Sequence, residues 1–175
     1  LMGLEFYREV VAAQERDSLG HTITNSMQTN GLLLNKEWAR FLAENRFLVG
    51  LSLDGPEHIH DYHRKMKGGA GSWAEVSEKV KLLLDEGVNI SAQVVDSRYS
   101  SQFPLEIYEY LKGEGIRHMR FIPCVDLKEE PDSGPTEFAV EPEAYADFRI
   151  ALFDRWLRDF NSHRPTTSVQ YFDAL

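Results

Sequence analysis

Polar side chains that could bind a ligand stand at the ends of two apolar segments of this sequence. Gln28 and Asn30 close the first segment, just before Gly31, and Ser52 lies near the end of the second, residues 47–53 (FLVGLSL). Neutral amides and hydroxyls in such positions suit a sugar hydroxyl or a peptide backbone, whereas Asn-Gly is also a common tight turn. A hydroxyl within an apolar strand must find a partner, which is either the backbone or a ligand.

Charged residues and potential metal ligands follow the Asp54-Gly55-Pro56 turn. The guanidinium of Arg64 can bind a carboxylate through two hydrogen bonds, although a lone arginine is more often a solvated surface residue. His58, His60 and His63 offer imidazoles, but zinc needs several ligands that converge on one point. On a helix, His60 and His63 share a face while His58 points elsewhere, and the spacing suggests no fourth ligand. We therefore predict no metal site in this chain.

Two further groups of chemically active residues favour ordinary structural roles. Cys124 is the only cysteine, so it can form neither an internal disulfide nor, by itself, an iron–sulfur cluster. No Cys-His signature marks it as a nucleophile, and a free cysteine is commonly buried. Glu129, Glu130 and Asp132 form an acidic cluster beside proline and glycine residues, which is typical of a solvated loop.

Composition narrows the class of protein. The 175 residues include 42% hydrophobic and 27% charged side chains, which is ordinary for one globular domain. The net charge of -9 argues against a general nucleic-acid surface, and no apolar run reaches the roughly 20 residues of a membrane span. Since the sequence also has no signal-peptide pattern and no disulfide framework, we expect a cytoplasmic protein without nucleic-acid or membrane partners.

Both ends of the sequence look like cuts within a longer chain. The sequence begins with Leu1 rather than methionine, and it stops at Leu175 in an apolar stretch without a helix-stop signal. We therefore expect residues 1–175 to be an internal fragment.

Helical and strand-like segments alternate along the sequence. The predicted strands cover 21–28, 47–53, 88–95 and 117–123, and the predicted helices cover 4–16, 36–46, 57–65, 73–86, a segment from Pro104, and 142–160. Ser72 and Glu75 form a capping-box pattern at the start of one helix. Four strands separated by helices imply an α/β fold with a parallel sheet, outer helices and right-handed crossovers. We expect an arc of a partial TIM-type (β/α)6 barrel, with the site at the carboxyl ends of the strands.

Several segments together resemble one enzyme family. They are Ser26–Gly31 (SMQTNG), Phe47–Pro56 (FLVGLSLDGP), Asp61–Arg64 (DYHR) and Arg117–Pro123 (RHMRFIP). In this order they resemble the anaerobic sulfatase-maturating enzymes, which are radical S-adenosylmethionine (SAM) enzymes with a cysteine-rich C-terminal domain. The opening Leu1–Phe6 is similar to the segment that follows the family's Gly-Gly-Glu-Pro motif.

The resemblance implies cofactors and a reaction. In this family a [4Fe-4S] cluster cleaves SAM, and the resulting 5′-deoxyadenosyl radical oxidises a cysteine or serine of a sulfatase to Cα-formylglycine. By matching position, Ser52 should contact the ribose or amino-acid part of SAM, Arg64 its carboxylate, and Val125 the adenine. Gln28 and Asn30 are further candidates to line the cofactor or the substrate.

The resemblance also implies what this chain lacks. The family's Cys-x3-Cys-x2-Cys motif would lie before Leu1, and the catalytic aspartate and auxiliary-cluster cysteines would lie after Leu175. Residues 1–175 would then be a partial radical SAM core, inactive alone, with no catalytic residue and no cluster of its own. The expected partner is a sulfatase polypeptide. Two alternatives stay open: another radical peptide-modifying enzyme with the same core, and a non-catalytic module that regulates a sulfatase.

Overall fold

The computed structural model describes residues 2–126, 134–162 and 164–173, so the acidic cluster of the sequence analysis lies outside the described residues. The helices are α1 (Leu4–Asp17), α2 (Lys36–Glu44), α3 (Glu57–His63), α4 (Trp73–Asp85), α5 (Pro104–Gly113) and α6 (Pro142–Leu157). The strands are β1 (Ser26–Thr29), β2 (Leu48–Ser52), β3 (Asn89–Asp96), β4 (His118–Pro123), β5 (Phe160–Asn161), β6 (Arg164–Pro165) and β7 (Ser168–Val169).

Five strands form one parallel sheet in the order β1-β2-β3-β4-β7. The four predicted strands are thus parallel neighbours in chain order, as the helix–strand alternation indicates. The register pairs Leu48 of β2 with Ser26 of β1 and with Asn89 of β3. The fifth strand, β7, was not predicted, because its two residues are too few for a strand periodicity to appear.

The predicted bounds of the first strand are wrong at its start. Residues 21–25 lie outside any strand, and β1 begins only at Ser26. The reason lies in the neighbouring strand: Ser26 pairs with Leu48, the first residue of β2, so the preceding residues face no strand partner. The polar residues that precede β1 cannot be distinguished from the strand itself by their polarity alone.

The two faces of the sheet differ in polarity. On the face that packs under the helices, strand residues such as Val49, Leu51, Val94 and Met119 are almost completely buried within the hydrophobic core. The alternate residues point the other way. We call this opposite side the inner face; it carries Gln28, Gly50, Ser52, Gln93, Arg120 and Gln170.

Several helix ends differ from expectation; α2 and α3 each end two residues earlier than predicted, at Glu44 and His63. Ser72 stands at the N-cap of α4, but its side chain makes no capping hydrogen bond, so the predicted capping box with Glu75 is wrong. Helix α6 ends at Leu157 rather than at residue 160, because Phe160 begins the β5–β6 hairpin and pairs with Pro165. Within the described residues, no helix is long and apolar enough to cross a bilayer.

Candidate functional site

One row of inner-face residues crosses the sheet at the level where β2 ends. The register aligns Ser52 with Gln93 of β3, and Gln93 with Arg120 of β4. Ser52 is half-buried, and its hydroxyl has no hydrogen-bond partner in the described part of the chain. Because neighbouring strands lie about 4.8 Å apart, this row presents a hydroxyl, an amide and a guanidinium over a span of roughly 10 Å.

Gly50 shapes the cavity below this row. A Cβ at this position would lie 3.3 Å from Cγ and 3.5 Å from Nε2 of Gln93, so the glycine lets the Gln93 side chain lie across β2. In that position Gln93 Nε2 donates to Ser91 Oγ at 3.1 Å. The cavity on this face has a volume of about 470 Å³, and Gln28 lines it as well. Gln28 and Asn30 were the two candidate lining residues, and of these Gln28 lines the cavity.

Arg64 does not lie free in solution, as a surface arginine would. Its Nε and Nη2 donate to the two carboxylate oxygens of Asp54, at 2.5 and 3.0 Å. Asp54 is almost completely buried, and its Oδ1 also accepts from the Val95 backbone N–H at 2.9 Å. The pair joins the end of β2, the end of α3 and strand β3, so Arg64 has a structural partner that its sequence position did not reveal.

His60 is fully buried next to this ion pair. Its Nδ1 accepts from the Asp54 backbone N–H at 3.3 Å, so Nε2 carries the proton and donates to Ser72 Oγ at 3.0 Å. Ser72 Oγ in turn donates to the Arg64 carbonyl oxygen at 3.0 Å. Burial lowers the pKa of His60 to about 4, against the opposing effect of Asp54. The imidazole is therefore a neutral structural link, not a metal ligand.

Asp61 takes over the capping of α4, which the sequence pattern assigned to Ser72. Its Oδ1 accepts from the backbone N–H groups of Ser72 and Trp73, at 2.9 and 2.8 Å. The Ser72 hydroxyl is occupied by its bonds to His60 and to the backbone, which explains the failed prediction. A Cβ at Gly71 would lie only 1.7 Å from Asp61 Oδ2, so this cap requires glycine there.

These contacts form one connected structure, which we call the Asp54–Ser72 network; its members are Asp54, His60, Asp61, Arg64 and Ser72. The network fixes the chain that leaves β2 directly after Ser52, and so holds that strand end in place. Sequence reasoning treated these residues one at a time. All five residues lie within the single turn–helix–loop segment 54–72, and this closeness in sequence could have indicated that they contact one another.

The other predicted site residues lie apart from the cavity. Asn30 is exposed, and its Oδ1 accepts from the Leu32 backbone N–H at 3.3 Å, which is turn geometry. Val125 is 78% exposed beyond the end of β4. Cys124 is half-buried, and burial raises the pKa of its thiol, which disfavours the reactive thiolate. Of the candidates, Ser52 and Gln28 thus share the inner face, although only Gln28 lines the cavity, and neither Asn30 nor Val125 lines it.

Asp96, at the end of β3, is a buried titratable residue that sequence reasoning missed. It is fully buried, and neither carboxylate oxygen has a hydrogen-bond partner within the described residues. Burial raises its pKa to about 7, an effect that Arg149 opposes only in part. The orphaned carboxylate lies at the same edge of the sheet as Ser52. No group of three potential metal ligands occurs in the described ranges.

Comparison with known proteins places this geometry in a family. A protein-family model described as the radical SAM superfamily matches residues 1–99, which is more than half of the 175 residues. The chain belongs to the radical SAM superfamily. The radical SAM core inferred from the sequence is thereby confirmed.

Curated relatives place the chain more narrowly within the radical SAM superfamily. A cysteine-type anaerobic sulfatase-maturating enzyme of Clostridium perfringens is 36% identical over 177 residues, which covers 100% of this chain and 47% of that enzyme. A serine-type enzyme of Bacteroides thetaiotaomicron is 34% identical and covers 89% of this chain and 41% of that enzyme. The resemblance to sulfatase-maturating enzymes is therefore confirmed, although the chain spans less than half the length of these relatives.

A solved structure supports the fold assignment. Native anSMEcpe with bound AdoMet and Kp18Cys peptide is 36% identical and superposes with a TM-score of 0.87. The match covers 98% of this chain and 47% of that chain. The expected α/β architecture, an arc of the partial barrel of radical SAM enzymes, is thus confirmed for the part of the protein described.

Proposed function

We propose that the whole protein is a radical SAM oxidoreductase that converts a cysteine or serine of a sulfatase polypeptide to Cα-formylglycine. The observation that carries this proposal is the TM-score of 0.87, at 36% identity and 98% coverage, with an enzyme structure that holds AdoMet and a peptide. We propose further that the protein acts in the cytoplasm, without nucleic-acid or membrane partners. The structural agreement with this related enzyme over 98% of the chain supports the proposal more strongly than any single residue does.

The residues of this chain fit SAM. When bound, SAM supplies the hydrogen-abstracting chemistry, and the chain binds and orients it. We propose that Ser52 donates to or accepts from its ribose or amino-acid part, because this hydroxyl is open on the inner face. Arg64 would reach its carboxylate with Nη1, since Nε and Nη2 already bind Asp54. Val125 would flank the adenine beyond the end of β4.

The same residues do not fit an iron–sulfur cluster. Such a cluster takes several thiolates, and Cys124 is the only cysteine of the chain. We propose that the cluster ligands and the catalytic acid lie in other parts of the whole protein, so that residues 1–175 form a partial core that is inactive alone. The role of this part is to hold the cofactor and to line the substrate cavity.

The function is tested with the full-length protein, reconstituted with iron and sulfide in the absence of oxygen. It is incubated with SAM, a reductant and synthetic sulfatase peptides that carry the target cysteine or serine. We expect 5′-deoxyadenosine together with a new aldehyde on the peptide. A modified peptide without an aldehyde would favour another radical peptide-modifying enzyme. Peptide binding without SAM cleavage would favour the non-catalytic module.

Arg64 provides the residue-level prediction for this function. We expect Arg64→Ala to weaken SAM binding about 10- to 150-fold, because a charge-assisted hydrogen bond contributes roughly 1.5–3 kcal/mol. Arg64→Lys should recover only part of this affinity, since lysine lacks the planar fork. SAM is titrated into variants of equal cluster content whose folding is checked first, because Asp54 also loses its partner. Equal dissociation constants in all folded variants would remove Arg64 from the site.

A further inference from the structure

The edge of β4 that faces β7 is paired along only part of its length. The ladder with β7 ends at the pair Met119↔Val169, whereas the ladder with β3 continues to Pro123. The β7 ladder ends there because Gln170 begins a turn, in which Phe172 N–H donates to the Val169 carbonyl oxygen at 2.7 Å. Beyond Met119, this edge of β4 therefore has no strand partner within the described residues.

The backbone of Phe121 faces this open edge. Gln170 N–H donates to the Met119 carbonyl oxygen at 3.0 Å, and Cys124 N–H donates to the Asp96 carbonyl oxygen at 2.8 Å. Met119 thus faces β7 and Cys124 faces β3, and by the alternation along a strand Phe121 faces the same side as Met119. The next rung, from Phe121 N–H to Gln170, is not formed in the described part of the chain. Such unpaired backbone groups at a sheet edge can pair with another chain.

A cavity of about 580 Å³, which we call the edge cavity, lies along this open edge. One wall consists of residues 120–123 of β4, and the opposite wall includes Tyr145 and Arg149 of α6 together with Tyr171. The four residues of the first wall extend over roughly 10 Å, at about 3.3 Å for each step along a strand. The edge cavity therefore runs beside the strand for the length of a short extended peptide segment.

The edge cavity is lined by hydrogen-bond donors that lack acceptors. Arg120 is exposed and forms no ion pair and no side-chain hydrogen bond among the residues that the structure describes. On the opposite wall, Arg149 Nη1 donates to the Tyr145 hydroxyl at 3.1 Å, while its Nε and Nη2 are buried without a partner in the described ranges. The carbonyl oxygen of a peptide bond is an uncharged acceptor with two lone pairs. A polypeptide backbone therefore supplies what this lining lacks.

The edge cavity also ends close to the proposed SAM site. Pro123 is the last residue of β4 and precedes Val125, which we propose to flank the adenine, by two residues. Two residues of extended chain span roughly 7 Å. A chain that lies along the edge of β4 can therefore bring one of its side chains towards the cofactor, as a reaction at a peptide side chain requires.

We propose that an extended segment of the substrate polypeptide binds in the edge cavity as an added strand of the sheet, paired with the backbone of Phe121. The inference rests on the proposed function, since it takes the substrate to be a polypeptide. Phe121 N–H donates to a carbonyl oxygen of the peptide, Phe121 C=O accepts from a peptide N–H, and Arg120 donates to a further carbonyl oxygen. Main-chain hydrogen bonds supply the affinity in this mode of recognition.

The first test measures amide hydrogen exchange at single residues in the full-length protein with its clusters and SAM. It compares the free protein with the protein saturated by a synthetic sulfatase peptide. The Phe121 amide should exchange rapidly without the peptide and about 5-fold or more slowly with it, because it gains a hydrogen bond. Ile122 is the internal control, since its N–H faces β3 and should be protected in both states.

The second test uses fluorescent versions of the same peptide in which one backbone amide at a time is N-methylated. Because alternate residues of a strand face the same neighbour, methylation should weaken binding about 5-fold at alternate positions and leave the positions between them unchanged. Arg120→Gln should weaken binding of the unmodified peptide by up to about 10-fold. Arg117→Gln is the matched control, because this exposed arginine directly precedes β4 and does not line the edge cavity.

The outcomes can be told apart. A Phe121 amide that is already protected before the peptide is added would show that another part of the protein fills the edge cavity, and would overturn the inference. A Phe121 amide that still exchanges rapidly while the peptide is bound and converted would overturn it as well. Equal effects of methylation at every position would contradict strand pairing. A wild type that neither cleaves SAM nor binds any sulfatase peptide would instead refute the proposed function.

Discussion

The Asp54–Ser72 network and the inner face of the sheet are both rich in polar groups, but they differ in how those groups are paired. In the network, the carboxylate, imidazole, guanidinium and hydroxyl side chains bind one another or the backbone. On the inner face, Ser52 and Arg120 have no partner within the described residues. Buried polar groups are usually paired, whereas accessible unpaired groups remain free for a ligand. The first region is mainly structural, with the remaining Nη1 of Arg64 as its proposed contribution to SAM binding, and the second carries the open groups of the candidate site.

The largest expected effect comes from breaking the network at its centre. Asp54→Ala should lower the free energy of unfolding by about 3–5 kcal/mol, because it removes one member of a largely buried ion pair. Urea unfolding of the full-length protein, followed by circular dichroism, measures this loss. Asp17→Ala is the control, since its pair with Arg16 is exposed, and should cost less than about 1 kcal/mol. Similar losses in the two variants would show that burial does not distinguish the Asp54 pair from an exposed ion pair.

His60 adds a pH dependence to the network. Its pKa is lowered from 6.5 to about 4 in the folded protein, so the unfolded chain binds more protons as the pH falls from 6.5 to 4. Stability from this group is therefore full above pH 6.5 and declines by about 3 kcal/mol towards pH 4. The His60→Gln variant should lack this decline. Unfolding curves of both proteins across the range test it.

Subtracting the His60→Gln curve from the wild-type curve isolates this contribution. Asp96 acts in the opposite direction, because its raised pKa, about 7, makes the folded state lose stability as the pH rises from about 4 to 7. That term is common to both proteins and cancels in the difference. If the two curves run parallel between pH 6.5 and 4, the neutral, hydrogen-bonded His60 is refuted.

The smallest expected effect on stability lies on the inner face. Ser52→Ala should change the free energy of unfolding by less than about 0.5 kcal/mol, because the hydroxyl has no partner to lose. The same change should weaken SAM binding about 5-fold, the value of one ordinary hydrogen bond. Ser26→Ala is the matched control, since Ser26 is a serine of the neighbouring strand β1 that lines the cavity at the opposite end of the sheet from Ser52. A large stability loss with unchanged SAM affinity would make Ser52 structural.

The sheet could be predicted from the sequence because its strands are apolar and bounded by clear helix signals. Residues 117–123 are the best example, since their predicted bounds differ from β4 by one residue at one end; residues 47–53 and 88–95 differ from β2 and β3 by one residue at each end. The short β7 could not be predicted from the sequence. Its pairing with β4 depends on the position to which α6 and the following hairpin bring residues 168–169. Local pattern predicts elements, whereas tertiary contacts decide such brief pairings.

The candidate site could be predicted only in part. Ser52 follows from a hydroxyl in an apolar strand, and the structure places that position on the inner face; its role in binding stays a prediction. The partner of Arg64 could not be foreseen, because ten residues of turn and helix separate it from Asp54. Arg120 was missed for the opposite reason: an arginine in a strand resembles any solvent-facing residue until the topology shows which face forms a cavity.

The sequential strand order also bears on how the chain folds. Because β1 to β4 are neighbours in both sequence and space, each new ladder joins strands separated by only a few tens of residues, roughly one βα unit. Each unit can dock on the one made before it, without waiting for a distant segment. On the ribosome, where N-terminal parts emerge first, the sheet can therefore assemble strand by strand as the polypeptide is synthesised.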